Sequence, residues 1–242
     1  MYQFQSRIRY SETNIEGKLT LPALLNYFQD VTTFHSEDLH VGVAYMKEIR
    51  QAWVLSAWQI VIDRYPGMGE QVEIGTIPYE FKAFMGSRNF YMKDTNGQYI
   101  AKGNSLWTLL SMDSGRPITP SQEMMDTYGC GDKLDMEYAP RKIMVPKENG
   151  ISQDPITVRK HHLDTNQHVN NGQFVQIAAE YLPEDFQVGQ LRVEYRQQAF
   201  LNDVLHPVVW VSDEKYIVEI NDASGKPYVI AEFSGEAVRT AE

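Results

Sequence analysis

Residues 161–171, HHLDTNQHVNN, gather groups that could open an activated carbonyl. Asp164 offers a carboxylate that can act as base or nucleophile, and His168 an imidazole that can pass a proton to water or a leaving group. Asn166 stands two residues from each, and in extended backbone that alternation turns Asp164, Asn166 and His168 to one face. Asn170 and Asn171 open a helical pattern. One of them suits the N-cap, and free N–H groups from Asn170 to Gly172 would suit a developing oxyanion. Together these types point to hydrolysis. Two plainer readings compete. Any single Asp, Asn or Gln is an ordinary turn or cap residue, although so many polar side chains in one short stretch exceed what one cap requires. A metal set of His161, His162, Asp164 and His168 meets a geometric objection, because adjacent residues of a strand face opposite ways and His161 and His162 could not share one ion.

The elements that must position this turn follow from periodicity. A strand is expected over 156–160 and a helix over about 172–182, where Phe174, Ile177, Ala178 and Tyr181 fall at helical spacing. The same order appears earlier in the chain. Residues 3–10 read as a strand and 11–19 as a polar turn. A helix follows with Pro22 near its start and Leu24, Phe28, Val31 and His35 on one buried face. Strands are expected over 52–63, 71–79, 88–93 and 99–110, the last two joined by the Asp94-Thr95-Asn96-Gly97 hairpin signal. The second series is expected over 191–197, 204–211, 216–220 and 228–233, with a hairpin at 221–225 and residues 236–239 closing the sheet. Glu12-Thr13-Asn14 then matches Asp164-Thr165-Asn166 in position, and 58–70 matches 191–203. The first turn lacks the His and the Asn pair, so the chemistry is expected in the second half. Residues 1–111 and 156–242 form the two expected domains. Residues 112–155, rich in Pro and Gly, form a linker with at most short helical pieces.

Bulk composition narrows the function classes. Hydrophobic residues make up 43% of the 242 and charged residues 22%, the balance of a soluble globular chain. A formal charge of −10 argues against general nucleic-acid binding, which relies on Lys and Arg to neutralise phosphates. Cys130 is the only cysteine, so neither an intramolecular disulfide nor a cysteine-built zinc site is available. No apolar run approaches the roughly 20 residues that span a bilayer, and the first residues carry no secretory h-region. A cytoplasmic protein is expected, with no membrane partner.

The stretch Asp164-Thr165-Asn166-Gln167-His168-Val169-Asn170-Asn171, with Phe174 after it, resembles the signature of the acyl-ACP thioesterases of the plant FatA and FatB type and their bacterial relatives. Val193-Glu194-Tyr195-Arg196-Gln197-Gln198-Ala199 is similar to that family's second motif, and Asn26-Tyr27-Phe28-Gln29-Asp30 to part of its N-terminal half. The resemblance implies an α+β tandem hot-dog fold in which each half wraps an antiparallel sheet around a long helix. It implies catalysis in the C-terminal half and an acyl pocket shaped largely by the N-terminal half. The family's catalytic Asp, Asn and His fall on Asp164, Asn166 and His168. Its acidic residue and Cys fall on Gln198 and Ala199, and both are departures. Ala199 excludes a thiol nucleophile there. Gln198 can orient water but cannot be a carboxylate base.

The expected reaction is hydrolysis of a fatty acyl thioester on acyl carrier protein, with no cofactor and no metal, by a monomer or a homodimer. Core side chains from Leu24, Leu25, Phe28, Val31, Phe34, Trp53, Trp58 and Trp107 are expected, some of them lining an acyl tunnel. Arg159, Lys160, Arg192 and Arg196 are the candidates for docking an acidic carrier. An acyl-CoA thioesterase is the nearest alternative, and a non-catalytic acyl-thioester binder is the alternative of a different class.

Overall fold

The computed structural model describes residues 1–212 and 215–237, and the expected strand end at 238–239 lies outside them. Two compact units emerge, residues 1–56 with 60–138, and residues 57–59 with 139–242. The division at 138/139 lies inside the expected linker, which is not a bare connection. Its first part carries a helix, α3 (Gln122–Tyr128), capped by the Ser121 hydroxyl, with Met124 and Tyr128 buried.

In the first unit, strands β1 (Tyr2–Arg7), β2 (Gln51–Ile62), β3 (Gln71–Lys82), β4 (Met85–Lys93) and β5 (Tyr99–Ser111) lie in the order β1-β3-β4-β5-β2. Gly97 at φ 78° makes the β4–β5 turn possible, and Asp94 Oδ1 accepts the N–H groups of Asn96 and Gln98 inside it. Helix α1 (Leu21–Asp38) begins at Thr20, whose hydroxyl accepts the Ala23 N–H, with Pro22 in its first turn. Its expected face is buried: Leu24, Phe28, Val31 and His35 pack inward, and the Phe28 ring meets Phe90 of β4 at 5.3 Å. Phe34 is the exception, 45% exposed and in edge contact with Phe4. A short helix, α2 (Val43–Glu48), follows.

The second unit orders its strands β8 (Phe186–Tyr195), β11 (Pro227–Ala237), β10 (Lys215–Asn221), β9 (Val204–Ser212) and β6 (Ile151–Ser152), with β7 (Ile156–Thr157) also on β9. Helix α4 (Asn171–Ala179) buries Phe174, Val175, Ile177 and Ala178 and contacts β10 and β11. Each unit therefore has the hot-dog arrangement, one helix on an antiparallel sheet. The helix stripe in each unit buries its apolar side chains, and the sheet supplies the apolar surface against it.

Two polar features fix the connecting segment onto its own unit. In the first, fully buried Asn89 accepts the Leu134 N–H and the Tyr138 hydroxyl. In the second, buried Glu194 accepts the Ile143 N–H, while Arg192 donates to the carbonyls of Pro140 and Lys142. Among the described residues, no helix is long and apolar enough to cross a membrane.

His35 carries a pH dependence. Its Nδ1 accepts Arg88 Nη1 at 3.0 Å, and burial, then the Arg88 charge, push its pKa down from 6.5 to about 4. The folded value lies below the unfolded one, so the unfolded chain takes up the proton first as pH falls. The contribution is whole above about 6.5 and is lost by about 4; it amounts to at most about 3 kcal/mol. Denaturant titrations of wild type and His35→Gln across this window should show a steeper loss for wild type. Parallel curves would contradict a buried neutral imidazole.

Candidate active site

The residues singled out by spacing form a closed turn rather than an extended strand. Leu163 and Val169 pair as an antiparallel bridge, Asp164 N–H donates to His168 O at 2.8 Å, and Gln167 N–H donates to Asp164 O at 3.1 Å. Gln167 sits at φ 64° to close the loop. The Asp164 side chain holds this turn from within: Oδ1 accepts the N–H of Asn166 at 2.8 Å and of His168 at 3.2 Å. Asp164, Asn166 and His168 are thus brought together by hydrogen bonds and not by the alternation of a strand. Oδ2 of Asp164 takes no hydrogen bond from any described residue. Asn166 is exposed and His168 half-buried.

The support below the turn also differs from expectation. Strand β7 ends at Thr157, and residues 160–162 coil into a 3₁₀ turn. This overturns the objection raised for the histidine pair. His161 and His162 do not face opposite ways; their ring centroids are 4.1 Å apart. His162 Nδ1 instead accepts the Arg159 N–H at 3.1 Å, which requires an unprotonated nitrogen. Burial, then His161 and Arg159, keep the His162 pKa below its ordinary value. Among the described residues, no three His, Cys, Asp or Glu side chains cluster as a metal site would need.

Asn170 is the N-cap of α4, and its bonds narrow the oxyanion donors. Its own N–H goes to His162 O at 2.9 Å, and its Oδ1 takes the Gly172 N–H at 2.7 Å. The Asn171 N–H, at the first helical position, has no partner among the described residues. Its carbonyl is gripped by the Tyr195 hydroxyl at 3.0 Å, and burial pushes that phenol far above its usual pKa.

Residues 198–203 wall the turn from the other side. Val169 N–H donates to Ala199 O at 2.9 Å, Val158 and residues 202–203 exchange backbone bonds, and Asp203 Oδ2 accepts the Phe200 N–H at 2.8 Å. Ala199 is fully buried, whereas Gln198 is exposed with no hydrogen bond to a described residue. Phe200 meets the His168 ring edge-on, centroids 4.9 Å apart and planes at 83°. Spacing within the motif gave no sign of that contact.

The basic candidates separate. Arg159 and Lys160 are exposed beside the turn. Arg192 pairs with Glu232 at 2.8 Å, and Arg196 with buried Glu194 at 2.7 Å, so both are engaged within the unit.

The first unit repeats most of this framework, in a register two residues from the one that the polar side chains suggest. Asn14, not Glu12, stands where Asp164 stands. Asn14 N–H donates to Lys18 O, its Oδ1 accepts the N–H of Glu16 at 3.1 Å and of Lys18 at 3.0 Å, and Thr13 bridges Leu19. Gly17 at φ 70° replaces Gln167, Lys18 replaces His168, and Thr20 replaces the N-cap Asn170. Leu19 N–H donates to Pro66 O as Val169 does to Ala199. Polar identity misled the alignment: Glu12 resembles Asp164 in charge, but backbone hydrogen bonds pair Glu12 with His162, since Thr20 N–H goes to Glu12 O as Asn170 N–H goes to His162 O.

Residues 1–128 match the acyl-ACP thioesterase N-terminal domain and residues 146–237 the acyl-ACP thioesterase C-terminal domain. Among curated proteins, a chloroplastic acyl-(acyl-carrier-protein) hydrolase of Cuphea viscosissima is 25% identical over 90% of this chain and 58% of its own length. A chloroplastic oleoyl-acyl carrier protein thioesterase of Arabidopsis thaliana is 23% identical over 88% of this chain and 64% of its own. The chain spans about three-fifths of the length of these relatives. Among solved structures, an acyl-ACP thioesterase of Bacteroides thetaiotaomicron superposes with a TM-score of 0.88 at 22% identity, covering 97% of both chains. A 12:0-ACP thioesterase of Umbellularia californica gives 0.86 at 22% identity over 96% of both. These likenesses show that the fold is shared.

Asn14 and Asp164 each satisfy two backbone amides, so Asn14→Ala and Asp164→Ala should each destabilise the fold by about 1–2 kcal/mol in denaturant titration. An Asp164→Ala variant as stable as wild type would show that the carboxylate does not hold the turn.

Proposed function

The chain belongs to the acyl-ACP thioesterase family, and from that premise we propose that it hydrolyses the thioester of a fatty acyl group on acyl carrier protein. The observation that carries this reading is the Asp164 carboxylate, anchored through Oδ1 and unbonded at Oδ2 among the described residues. Two N–H donors hold the group in one orientation. Oδ2 is then the reactive atom, either drawing a proton from a water that attacks the carbonyl and displaces the thiolate, or attacking the carbonyl itself to displace the thiolate and form an acyl anhydride that water then hydrolyses. Asn166 positions the water or the carbonyl, and His168 delivers a proton to the departing sulfur. The Asn171 N–H, without a partner among the described residues, supplies the oxyanion donor, in place of the broader set from Asn170 to Gly172. A thiolate leaves more readily than an amine, so a site with Gln198 and Ala199 where the family has an acid and a thiol can still turn over. Gln198, exposed beside the turn, is left with water orientation at most.

The first unit shapes the acyl pocket in this reading. A fatty chain gains on the order of 0.8 kcal/mol for each CH₂ it buries, which makes an apolar groove a sufficient receptor. Carrier docking falls to Arg159 and Lys160, since Arg192 and Arg196 already have carboxylate partners. With the protein at −10, a local basic patch is what lets an acidic carrier approach.

Matched acyl-carrier-protein and acyl-CoA thioesters, followed by thiol release, test the reading. Wild type should release thiol and prefer the carrier-bound substrate, and Asn166→Ala and His168→Ala should each lose roughly 10²-fold or more in turnover with the fold intact. Binding without release would make the protein an acyl-thioester sensor. Preference for CoA would move it to the acyl-CoA thioesterases. Reversing both docking charges, in Arg159→Glu with Lys160→Glu, should raise KM for the carrier substrate by about tenfold and spare acyl-CoA. Equal losses on both substrates would remove these residues from docking.

A further inference from the structure

The wall opposite His168 differs between the two halves at one telling position. Residues 65–70 and 198–203 share most of their backbone bonding, although the Met68 N–H bond to Gly17 O has no counterpart from Leu201 among the described residues. Leu19 and Val169 donate to Pro66 and Ala199, and Ile8 and Val158 to Glu70 and Asp203. The side chains of Glu70 and Asp203 accept the N–H of Gly67 and Phe200. Phe200 is therefore the counterpart of Gly67. Gly67 pairs across the turn with Lys18, itself the counterpart of His168. Where the turn carries Lys18, the facing position has no side chain. Where it carries His168, the facing position is an aromatic ring in edge contact at 4.9 Å.

Burial does not account for that ring. Phe200 is 49% exposed, and Leu201 beside it is 39% exposed, so neither contributes as a core residue does. Its backbone, in contrast, is held: Asp203 Oδ2 takes its N–H at 2.8 Å and accepts the Tyr228 hydroxyl at 3.3 Å. The ring is thus mounted on a fixed loop and set against the imidazole. His168 has no side-chain hydrogen bond from a described residue that could set its rotamer instead. Edge-on aromatic pairs have a preferred geometry, which restricts a ring that would otherwise turn freely.

We infer that Phe200 is a positioning residue for this reaction, fixing the His168 imidazole in its working orientation, a task that in this chain falls to an aromatic beside Gln198 and Ala199. The inference rests on the proposed role of His168. No covalent step involves Phe200, and it touches no reacting atom.

The test compares wild type, Phe200→Ala, Phe200→Tyr, His168→Ala and the Phe200→Ala/His168→Ala double variant on one acyl-carrier-protein substrate. Phe200→Ala should lower kcat by about three- to tenfold with KM within about twofold, the size expected for one aromatic contact. Phe200→Tyr, which keeps the ring, should restore most of the loss. In the double variant Phe200→Ala should add nothing to His168→Ala, because the ring acts only through the imidazole. NMR of the His168 ring protons should show a ring-current shift in wild type and Phe200→Tyr that vanishes in Phe200→Ala, which verifies the contact, while a loss confined to kcat and absent on the His168→Ala background is what a merely structural role would not produce. An unchanged kcat in Phe200→Ala with His168→Ala inactive overturns the positioning role alone. An active His168→Ala overturns the proposed role of His168 as well. A further loss in the double variant would show that Phe200 acts through something other than His168.

Discussion

The second unit's site depends on one interaction, the acceptance of two backbone N–H groups by a single carboxylate oxygen of Asp164. Those bonds close the turn and set the direction in which Asn166 and His168 leave the backbone. They also place Val169 to bond Ala199 O and Asn170 to bond His162 O and cap α4. A carboxylate that accepts two amides is held far more firmly than one that reaches into solvent. Its second oxygen inherits that rigidity without being used up by it. Positioning and reactivity therefore belong to one side chain, and preorganisation of this kind is what a hydrolytic site needs.

The first unit separates the two roles. Asn14 accepts the same pair of amides with a neutral oxygen, and the turn closes just as well. Closing the turn therefore needs an acceptor and not a charge. The negative charge of Asp164 is surplus to the fold, and the same holds for His168 in place of Lys18. Charge-assisted bonds are stronger than neutral ones, but the gain is modest at a partly exposed turn. What the second half adds over the first is chemical capacity placed on a framework that both halves possess.

Much of this was legible in the sequence, and the misses have a common physical origin. The buried face of α1, the Asp94–Gly97 hairpin and the order of strands follow from periodicity and glycine placement, which are local signals. The two-residue slip in aligning the halves arose because acidic side chains look alike, while the backbone pairs Asn14 with Asp164. The extended reading of 164–168 failed because an Asp accepting from i+2 and i+4, with Gln167 in the left-handed region, outweighs apolar-polar alternation. Arg196 is held by Glu194 two residues before it, a same-side pairing that alternation along the strand allows, and Arg192 by Glu232 across the sheet, a partner that spacing along one strand cannot show. Phe200 was hidden for the same reason. It faces His168 only across the bonded pair of loops, and it stands out only when set against Gly67.

The charge of Asp164 can be removed while its turn-closing oxygen stays, and Asp164→Asn does this with the substitution that Asn14 already represents. Single-turnover hydrolysis of an acyl-carrier-protein thioester, with a melting curve taken on the same sample, is the most direct measurement. The account predicts a variant that melts within a few degrees of wild type yet hydrolyses at least about 10²-fold more slowly. A variant that retains wild-type hydrolysis with an intact fold would contradict it, and would leave Asp164 as a turn residue like its counterpart.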